Sequence, residues 1–208
     1  MDDSTDPIVT EYLEAWEKHG ATAKGVGWLD KTSQQVRFDV MYQMIKPELK
    51  EGGLADILDV GCGYGGFLQY LETNHERCGE TYTYTGVDIC QPMIKWAKDS
   101  AVTVPRCRFM YDNFLTAPAL PNTYDMVVCS GAMNYQNHNL FQFVRKMWEL
   151  SRGVVVFNIL VLGERADVGI GARLARMVGA DHYAAERGYI DLQGYTDVTV
   201  KLWKREKR

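Results

Sequence analysis

Residues 56–66 read Asp-Ile-Leu-Asp-Val-Gly-Cys-Gly-Tyr-Gly-Gly, and this stretch decides the fold. A short apolar run with a carboxylate at Asp59 leads into glycines at 61, 63, 65 and 66, and apolar residues at helical spacing follow. Glycine is needed where a backbone turns with positive φ or comes close to a ligand. A glycine turn between a strand and a helix is typical of a nucleotide-binding loop. The sequence therefore predicts a cofactor at the end of this strand.

The remainder of the chain alternates strand-like and helix-like segments. The strand candidates are 56–60, 82–87, 106–110, 124–129 and 153–160, and the helix candidates between them are 65–74, 91–99 and 139–151. Such alternation is typical of βαβ units, which build a parallel sheet with helices on both faces. After a helix at 170–179, strand-like segments at 188–193 and 196–203 flank Gly194-Tyr195, which predicts a hairpin at the sheet edge.

The expected fold is therefore α/β: a three-layer α/β/α sandwich around a doubly wound, mostly parallel seven-stranded sheet with an antiparallel C-terminal strand. Two further helices are expected before the first strand. One covers 8–19, and the other is capped by Thr32 or Ser33 and runs to about residue 45.

Composition bounds the partners and the compartment. The chain has 208 residues and a net charge of -4, which argues against a nucleic-acid partner because phosphate binding needs clustered Lys and Arg. Its five cysteines are scattered and its first residues are acidic, so we expect a cytoplasmic protein without a signal peptide. No apolar run approaches the roughly 20 residues of a membrane helix. The four histidines are dispersed, and no metal site is predicted.

Two more acids follow predicted strands. Asp88 closes the second strand and Asp112 follows the third. The carboxyl ends of parallel strands gather at one rim of the sheet, where ligands bind. Asp88 is suited to accept hydrogen bonds from a ribose diol. Asp112, with the backbone of Asn113 and Phe114, is suited to the amine and ring nitrogen of adenine.

These residues together resemble the class I S-adenosylmethionine-dependent methyltransferases. Asp59-Val-Gly-Cys-Gly-Tyr-Gly65 is similar to their first motif, Asp88 to the ribose-binding acid, Asp112 to the adenine-binding acid, and 124–131 to the fourth-strand motif. The resemblance covers about residues 30–203. It implies one domain over 1–208, with 1–50 as a helical cap over the site and 51–208 as the cofactor-binding core.

The resemblance also implies a set of contacts to S-adenosylmethionine and to its product, S-adenosylhomocysteine. The segment from Trp28 to Arg37 is similar to one that covers the cofactor in small bacterial members, where the arginine pairs with the methionine carboxylate. The predicted cofactor residues are Trp28, Arg37, Asp59, Gly61, Cys62, Gly63, Gly65, Asp88, Ile89, Met93, Asp112, Asn113, Phe114 and Ser130.

The glycine turn alone also fits a nicotinamide enzyme. Gly61, Gly63 and Gly66 satisfy the dinucleotide pattern Gly-x-Gly-x-x-Gly, and Asp88 lies downstream at a fitting distance. Asp59 and Asp112 have no evident role toward a dinucleotide, and the C-terminal hairpin is the methyltransferase ending by resemblance. The methyltransferase is the preferred reading, and an NAD-dependent oxidoreductase is the alternative.

Segment 130–138 is expected to line the acceptor side, where His138 is the candidate general base and Tyr135 a hydrogen-bonding wall. His138 also fits an exposed residue before the next helix. The expected function is methyl transfer to an O, N or S atom of a small molecule by a monomer or homodimer. The alternatives are a peptide or protein acceptor and a cofactor-binding partner without catalysis.

Overall fold

In a computed structural model the chain folds around one seven-stranded sheet. The structure describes residues 7–49, 54–74, 79–117, 120, 123–135, 139–162, 169–190 and 195–204. The strands are β1 (Ala55–Val60), β2 (Tyr82–Asp88), β3 (Cys107–Tyr111), β4 (Tyr124–Cys129), β5 (Ser151–Leu162), β6 (His182–Ile190) and β7 (Tyr195–Trp203). The helices are α1 (Pro7–His19), α2 (Lys31–Ile45), α3 (Gly66–Asn74), α4 (Gln91–Ser100), α5 (Leu140–Leu150) and α6 (Gly169–Val178).

The strand order is β3-β2-β1-β4-β5-β7-β6. Strands β1 to β5 pair with one another in parallel, and β7 is antiparallel to both β5 and β6. The predicted doubly wound sheet with an antiparallel C-terminal strand is confirmed. The order reverses between β1 and β4, and a crevice opens at such a switch point beyond the carboxyl ends of the strands.

The sheet is buried on both faces, which explains why its central strands are almost wholly apolar. Successive residues of β1 enter different cores: Ile57 packs with residues of α2, α3 and α4, and Leu58 packs with residues of α5 and α6. Helices therefore cover both faces, as the three-layer prediction requires.

Two local expectations were wrong. The edge strand β6 begins at His182, not at residue 188. It pairs with a neighbour on one side only, so its sequence carries little of the apolar alternation that marks an inner strand. Helix α2 is capped by Asp30 rather than by Thr32 or Ser33: Asp30 accepts the Ser33 N–H at 2.7 Å, and the Ser33 side chain accepts the Asp30 N–H in return.

None of the helices within the described ranges is both long enough and apolar enough to cross a membrane.

Candidate active site

A cavity of about 300 Å³ lies at the carboxyl ends of the central strands, at the switch point between β1 and β4. Residues from the segment before α2, from α2 itself and from the loops after β1, β2, β3 and β4 line it. The predicted cofactor residues on its wall are Trp28, Arg37, Asp59, Gly61, Cys62, Gly63, Asp88, Ile89, Met93, Asp112, Asn113, Phe114 and Ser130. The fold thus brings into one cavity residues that are up to about a hundred positions apart in the chain.

Gly65 is the exception among the predicted cofactor residues. It does not line the cavity, and a Cβ at this position would lie 3.1 Å from the Phe109 ring. Gly65 therefore lets the start of α3 pack closely on β3. Gly61 does face the cavity, with φ +71°, and a Cβ there would lie only 2.3 Å from that of Ala132. The turn after β1 and the loop after β4 touch at this point, which leaves no space for a side chain.

Asp88 accepts hydrogen bonds from backbone groups on two sides of the cavity floor. Its carboxylate accepts the N–H of Gly63, on the glycine turn, at 2.8 Å, and the N–H of Cys90, at the start of α4, at 2.8 Å. Burial raises the pKa of Asp88, and these backbone hydrogen bonds partly oppose the rise. A carboxylate has about four acceptor positions. The remaining ones are available to hydroxyl groups of a ligand in the cavity.

Asp59 lies deeper, with 2% of its surface exposed. The Tyr84 hydroxyl donates a hydrogen bond to it from β2. Burial raises the pKa of Asp59 to about 7, the Tyr84 hydrogen bond opposes the rise, and repulsion from Asp88 adds to it. Asp59 therefore keeps its proton to a higher pH than an exposed aspartate does. Tyr84 was missed by sequence reasoning because nothing in strand β2, Tyr-Thr-Tyr-Thr-Gly-Val-Asp, shows which face or partner its hydroxyl has.

The loop after β3 serves both as a turn and as cavity wall. Asn113 accepts the Leu115 N–H at 3.0 Å through its side chain, which is the local turn chemistry of asparagine. Phe114 is buried against Phe143 with ring centroids 4.8 Å apart. The backbone N–H of Asp112 donates a hydrogen bond to the Asp88 carbonyl. Asp112 also lines the cavity.

Arg37 is buried, with 4% exposure, and already has a carboxylate partner that the sequence did not reveal. Its Nε lies 2.7 Å from Asp197 Oδ2 in β7, and its Nη1 donates to the Ser33 carbonyl at 2.9 Å. The guanidinium also lies over the Trp28 ring, 4.3 Å from the centroid. Since a guanidinium has five N–H donors, donors remain for a ligand carboxylate. A contact from Arg37 to the cofactor stays a prediction.

The predicted acceptor side is described only in part. His138 lies outside the described residues, and of Tyr135 the structure describes only the backbone, in the short helical turn Ala132–Tyr135. Their catalytic roles stay predictions. Ser130 lines the cavity, and its buried Oγ has no hydrogen-bond partner. Sequence reasoning missed Leu160, which lines the same wall from β5.

Cys62 is a cysteine of the cavity wall. Burial raises the pKa of the Cys62 thiol well above its usual value, which keeps the thiol in its unreactive form. Among the described residues, no group of three or more His, Cys, Asp or Glu side chains is placed to hold a metal ion.

The contact between Trp28 and Gly131 gives a direct test of how the wall is built. Gly131 has φ +87°, and a Cβ there would lie 2.5 Å from the Trp28 ring. We expect Gly131→Ala to lower the free energy of unfolding by about 2–4 kcal/mol, from backbone strain and overpacking combined.

The matched control is Gly179→Ala. Gly179 has φ +73°, but no atom lies within 4 Å of a Cβ added there. It should lose only about 1–2 kcal/mol. Equal losses in urea unfolding would mean that the Trp28 contact is unimportant.

Comparisons with known proteins bear on the cofactor. Residues 57–152 match the model of a family described as a methyltransferase domain. A segment of 61 residues is 41% identical to methylphloroacetophenone synthase of Cladonia uncialis, but it spans 29% of this chain and only 2% of that protein. The family match decides between the two cofactors that the glycine turn alone left open.

Solved structures share the whole fold at low sequence identity. Magnesium protoporphyrin IX methyltransferase from Synechocystis PCC 6803, with bound S-adenosylmethionine, has a TM-score of 0.69 and 18% identity, covering 99% of this chain and 98% of its own. The 1,6-didemethyltoxoflavin N1-methyltransferase of Burkholderia thailandensis has a TM-score of 0.68 and 15% identity, covering 96% of this chain and 88% of its own. At these identities the likeness establishes the fold.

Proposed function

We propose that this chain is a class I S-adenosylmethionine-dependent methyltransferase, which transfers a methyl group from that cofactor to an O, N or S atom of a small molecule. One observation carries the proposal: Asp59, Asp88 and Asp112, from the ends of three strands, line a single cavity with the glycine turn. The cofactor supplies an activated methyl group on sulfur. The protein therefore has to bind the two reactants, align them and exclude water.

The order of the strands supports a proposal for where each of the two reactants binds in the cavity. Asp88 and Asp112 stand beyond β2 and β3, and we place the ribose and the adenine of the cofactor there. Ser130 follows β4, and Leu160 lies near the end of β5, both on the other side of β1. The acceptor belongs on that side, where in-line displacement brings it against the methyl group. His138 and Tyr135 are proposed to act there on the proton of the acceptor.

The charge of the protein favours a small acceptor over a nucleic acid, because a net charge of -4 is unsuited to binding phosphates. The cavity of about 300 Å³ has the size of a small-molecule site, as the cofactor itself requires. Two of the relatives, by their names, act on magnesium protoporphyrin IX and on 1,6-didemethyltoxoflavin. We propose the same class of acceptor for this chain, acting in the cytoplasm as a monomer or homodimer.

The N-terminal residues are proposed to act as a cap over the site within a single domain. Tyr12 of α1 lines the cavity together with Trp28 and Leu29. Trp16 of α1 packs on Tyr64 of the glycine turn, with ring centroids 6.5 Å apart. These contacts support a role for the first 50 residues in closing the cavity over the cofactor.

Ligand binding followed by labelled transfer tests the proposal. S-adenosylhomocysteine is expected to raise the thermal midpoint and to bind in calorimetry, and NADH is expected to do neither. With methyl-labelled cofactor and fractionated metabolite pools, label should appear in a small molecule, read by mass spectrometry. Binding of NADH alone would reject the methyltransferase. Label confined to protein would favour the peptide acceptor, and binding without any labelled product would favour a non-catalytic partner.

A further inference from the structure

A buried polar cluster lies behind the cavity, on the face of the sheet that α2 covers. Asn158 of β5 and Asp197 of β7 are 0% and 1% exposed. The two strands pair antiparallel, with Leu160 opposite Asp197 and Asn158 opposite Thr199, so these four side chains share one face. None of them except Leu160 lines the cavity.

Asn158 and Asp197 connect two parts of the cavity wall. Asn158 accepts the Gly131 N–H at 2.7 Å and has its amide nitrogen 3.5 Å from Asp197 Oδ2. Asp197 in turn pairs with Arg37 at 2.7 Å. Arg37 lies over Trp28, and the Trp28 ring packs against Gly131. These contacts form a closed ring that links the loop after β4, strands β5 and β7, helix α2 and the segment before α2.

Stability alone does not explain a charged pair at this place. The cost of desolvating two buried charges often equals their attraction, so an apolar pair of similar volume would hold α2 equally well. Burial raises the pKa of Asp197 to about 6, although Arg37 and Asn158 oppose the rise. Four buried side-chain atoms of the described residues have no hydrogen-bond partner in this same region: Arg37 Nε, whose contact with Asp197 is an ion pair without hydrogen-bond geometry, Ser130 Oγ, Asp197 Oδ1 and Thr199 Oγ1. Buried polar groups are rarely left unpaired in native proteins.

The geometry points to Asp197 and Asn158 as positioning residues. We infer that Asp197 holds the Arg37 guanidinium by its Nε edge, so that the unused N–H donors face the carboxylate of the bound cofactor. Asn158 contacts both Gly131 and Asp197, and it therefore fixes the position of the loop after β4 relative to the Arg37–Asp197 pair. This inference rests on the proposed function, because it assumes that Arg37 binds the amino-acid end of the cofactor.

The test compares two ligands that differ only at that end. S-adenosylhomocysteine carries the amino-acid carboxylate, and 5′-methylthioadenosine lacks it while keeping the adenosine and the thioether. In Asp197→Asn we expect the affinity for S-adenosylhomocysteine to fall about tenfold or more, the scale of one hydrogen bond to a charged group. The affinity for 5′-methylthioadenosine should stay within about twofold, because the adenosine contacts are untouched.

The chain offers a matched control at the other end of the same interface. Glu48 pairs with Lys201 of β7 at 2.9 Å, and Lys201 also donates to the Met44 carbonyl at the end of α2. Glu48→Gln makes the same carboxylate-to-amide change in an ion pair between the turn that follows α2 and β7, and neither residue of this pair lines the cavity. It should lower stability slightly and leave the ratio of the two affinities unchanged.

Each result decides one question. Selective loss of S-adenosylhomocysteine binding in Asp197→Asn, with Glu48→Gln unchanged, supports the inference. An unchanged or higher affinity, or an equal loss for both ligands, overturns it and leaves Asp197 a structural residue. If Asp197→Asn does not fold, Asn158→Ala gives the same comparison, with the same outcomes. A wild-type protein that binds neither ligand would reject the proposed function itself.

Discussion

The Asp59→Asn variant is expected to gain stability relative to the wild-type protein as the pH rises from about 4 to about 7. In the unfolded chain this aspartate ionises near pH 3.8, and in the fold burial raises its pKa to about 7. Between these values the folded protein holds a proton that the unfolded chain has lost, so raising the pH favours unfolding. Above about pH 7 both states are ionised and the cost is constant. The introduced amide cannot ionise, so the variant does not lose stability through this group as the pH rises.

The expected size is large for one side chain. A shift of this extent is on the order of 4 kcal/mol at about 1.4 kcal/mol per pKa unit. The amide oxygen can still accept the hydrogen bond from Tyr84, so the change removes a charge without opening a cavity. Urea unfolding of ligand-free protein at several pH values from about 4.5 to 8 measures the difference between the two proteins. Using the difference removes the pH dependence contributed by other groups.

The control is Asp99→Asn, an exposed aspartate on α4. Its difference from the wild-type protein should stay within about 0.5 kcal/mol over the same pH range. If the Asp59→Asn difference were equally flat, Asp59 would be ionised throughout, and the polar surroundings of the carboxyl group would be stronger than its burial suggests.

Local patterns and one topological rule were enough to predict most of the site. The apolar run before Asp59, the glycines after it and the acid at Asp88 each carry their own signal within a few residues. The rule that parallel strands end at one rim then brings them together without any knowledge of side-chain contacts. For this reason the fold class was predicted from sequence and confirmed, and the predicted methyltransferase agrees with the methyltransferase-domain model that residues 57–152 match.

The Arg37–Asp197 pair could not be predicted in this way. The two residues are 160 positions apart, and their contact depends on the register of β5 with β7 and on where α2 crosses both strands. Asn158 interrupts an apolar strand, Val154 to Leu162, which is a signal that a buried polar group needs a partner. It does not say which partner. The edge strand β6 was misplaced because pairing with β7, and not an apolar pattern of its own, defines it.

Asp88→Ala is expected to lower the affinity for S-adenosylhomocysteine by about 30- to 1000-fold, which corresponds to about 2–4 kcal/mol. Two losses combine. The variant removes the acceptor that we assign to the ribose hydroxyls, and it releases the N–H groups of Gly63 and Cys90, which the carboxylate holds at 2.8 Å each. The glycine turn and the start of α4 would then have to be ordered by the ligand, at a cost to binding.

Asp125→Ala is the matched control for this change. Asp125 also accepts a backbone N–H, that of Asp56 at 2.9 Å, and pairs with Arg152 at 2.7 Å. It lies near the start of β4, at the opposite end of the strands from the cavity, and does not line it. Its loss should change stability but leave the affinity for S-adenosylhomocysteine within about twofold. Isothermal titration calorimetry measures both variants, and an Asp88→Ala affinity within threefold of wild type would contradict the ribose assignment.

Asp88→Asn separates the two contributions of this carboxylate. Its amide oxygen can keep one of the two backbone N–H groups, but its NH₂ would face the other N–H, and two donors cannot pair. If the anchoring of the turn dominates, ligand-free Asp88→Asn and Asp88→Ala should both unfold at lower urea concentration than the wild-type protein. If the ribose contact dominates, ligand-free stability should change little, because removing this carboxylate also removes the cost of burying it. The affinity should nevertheless fall in both variants, since neither offers a carboxylate to the ribose diol.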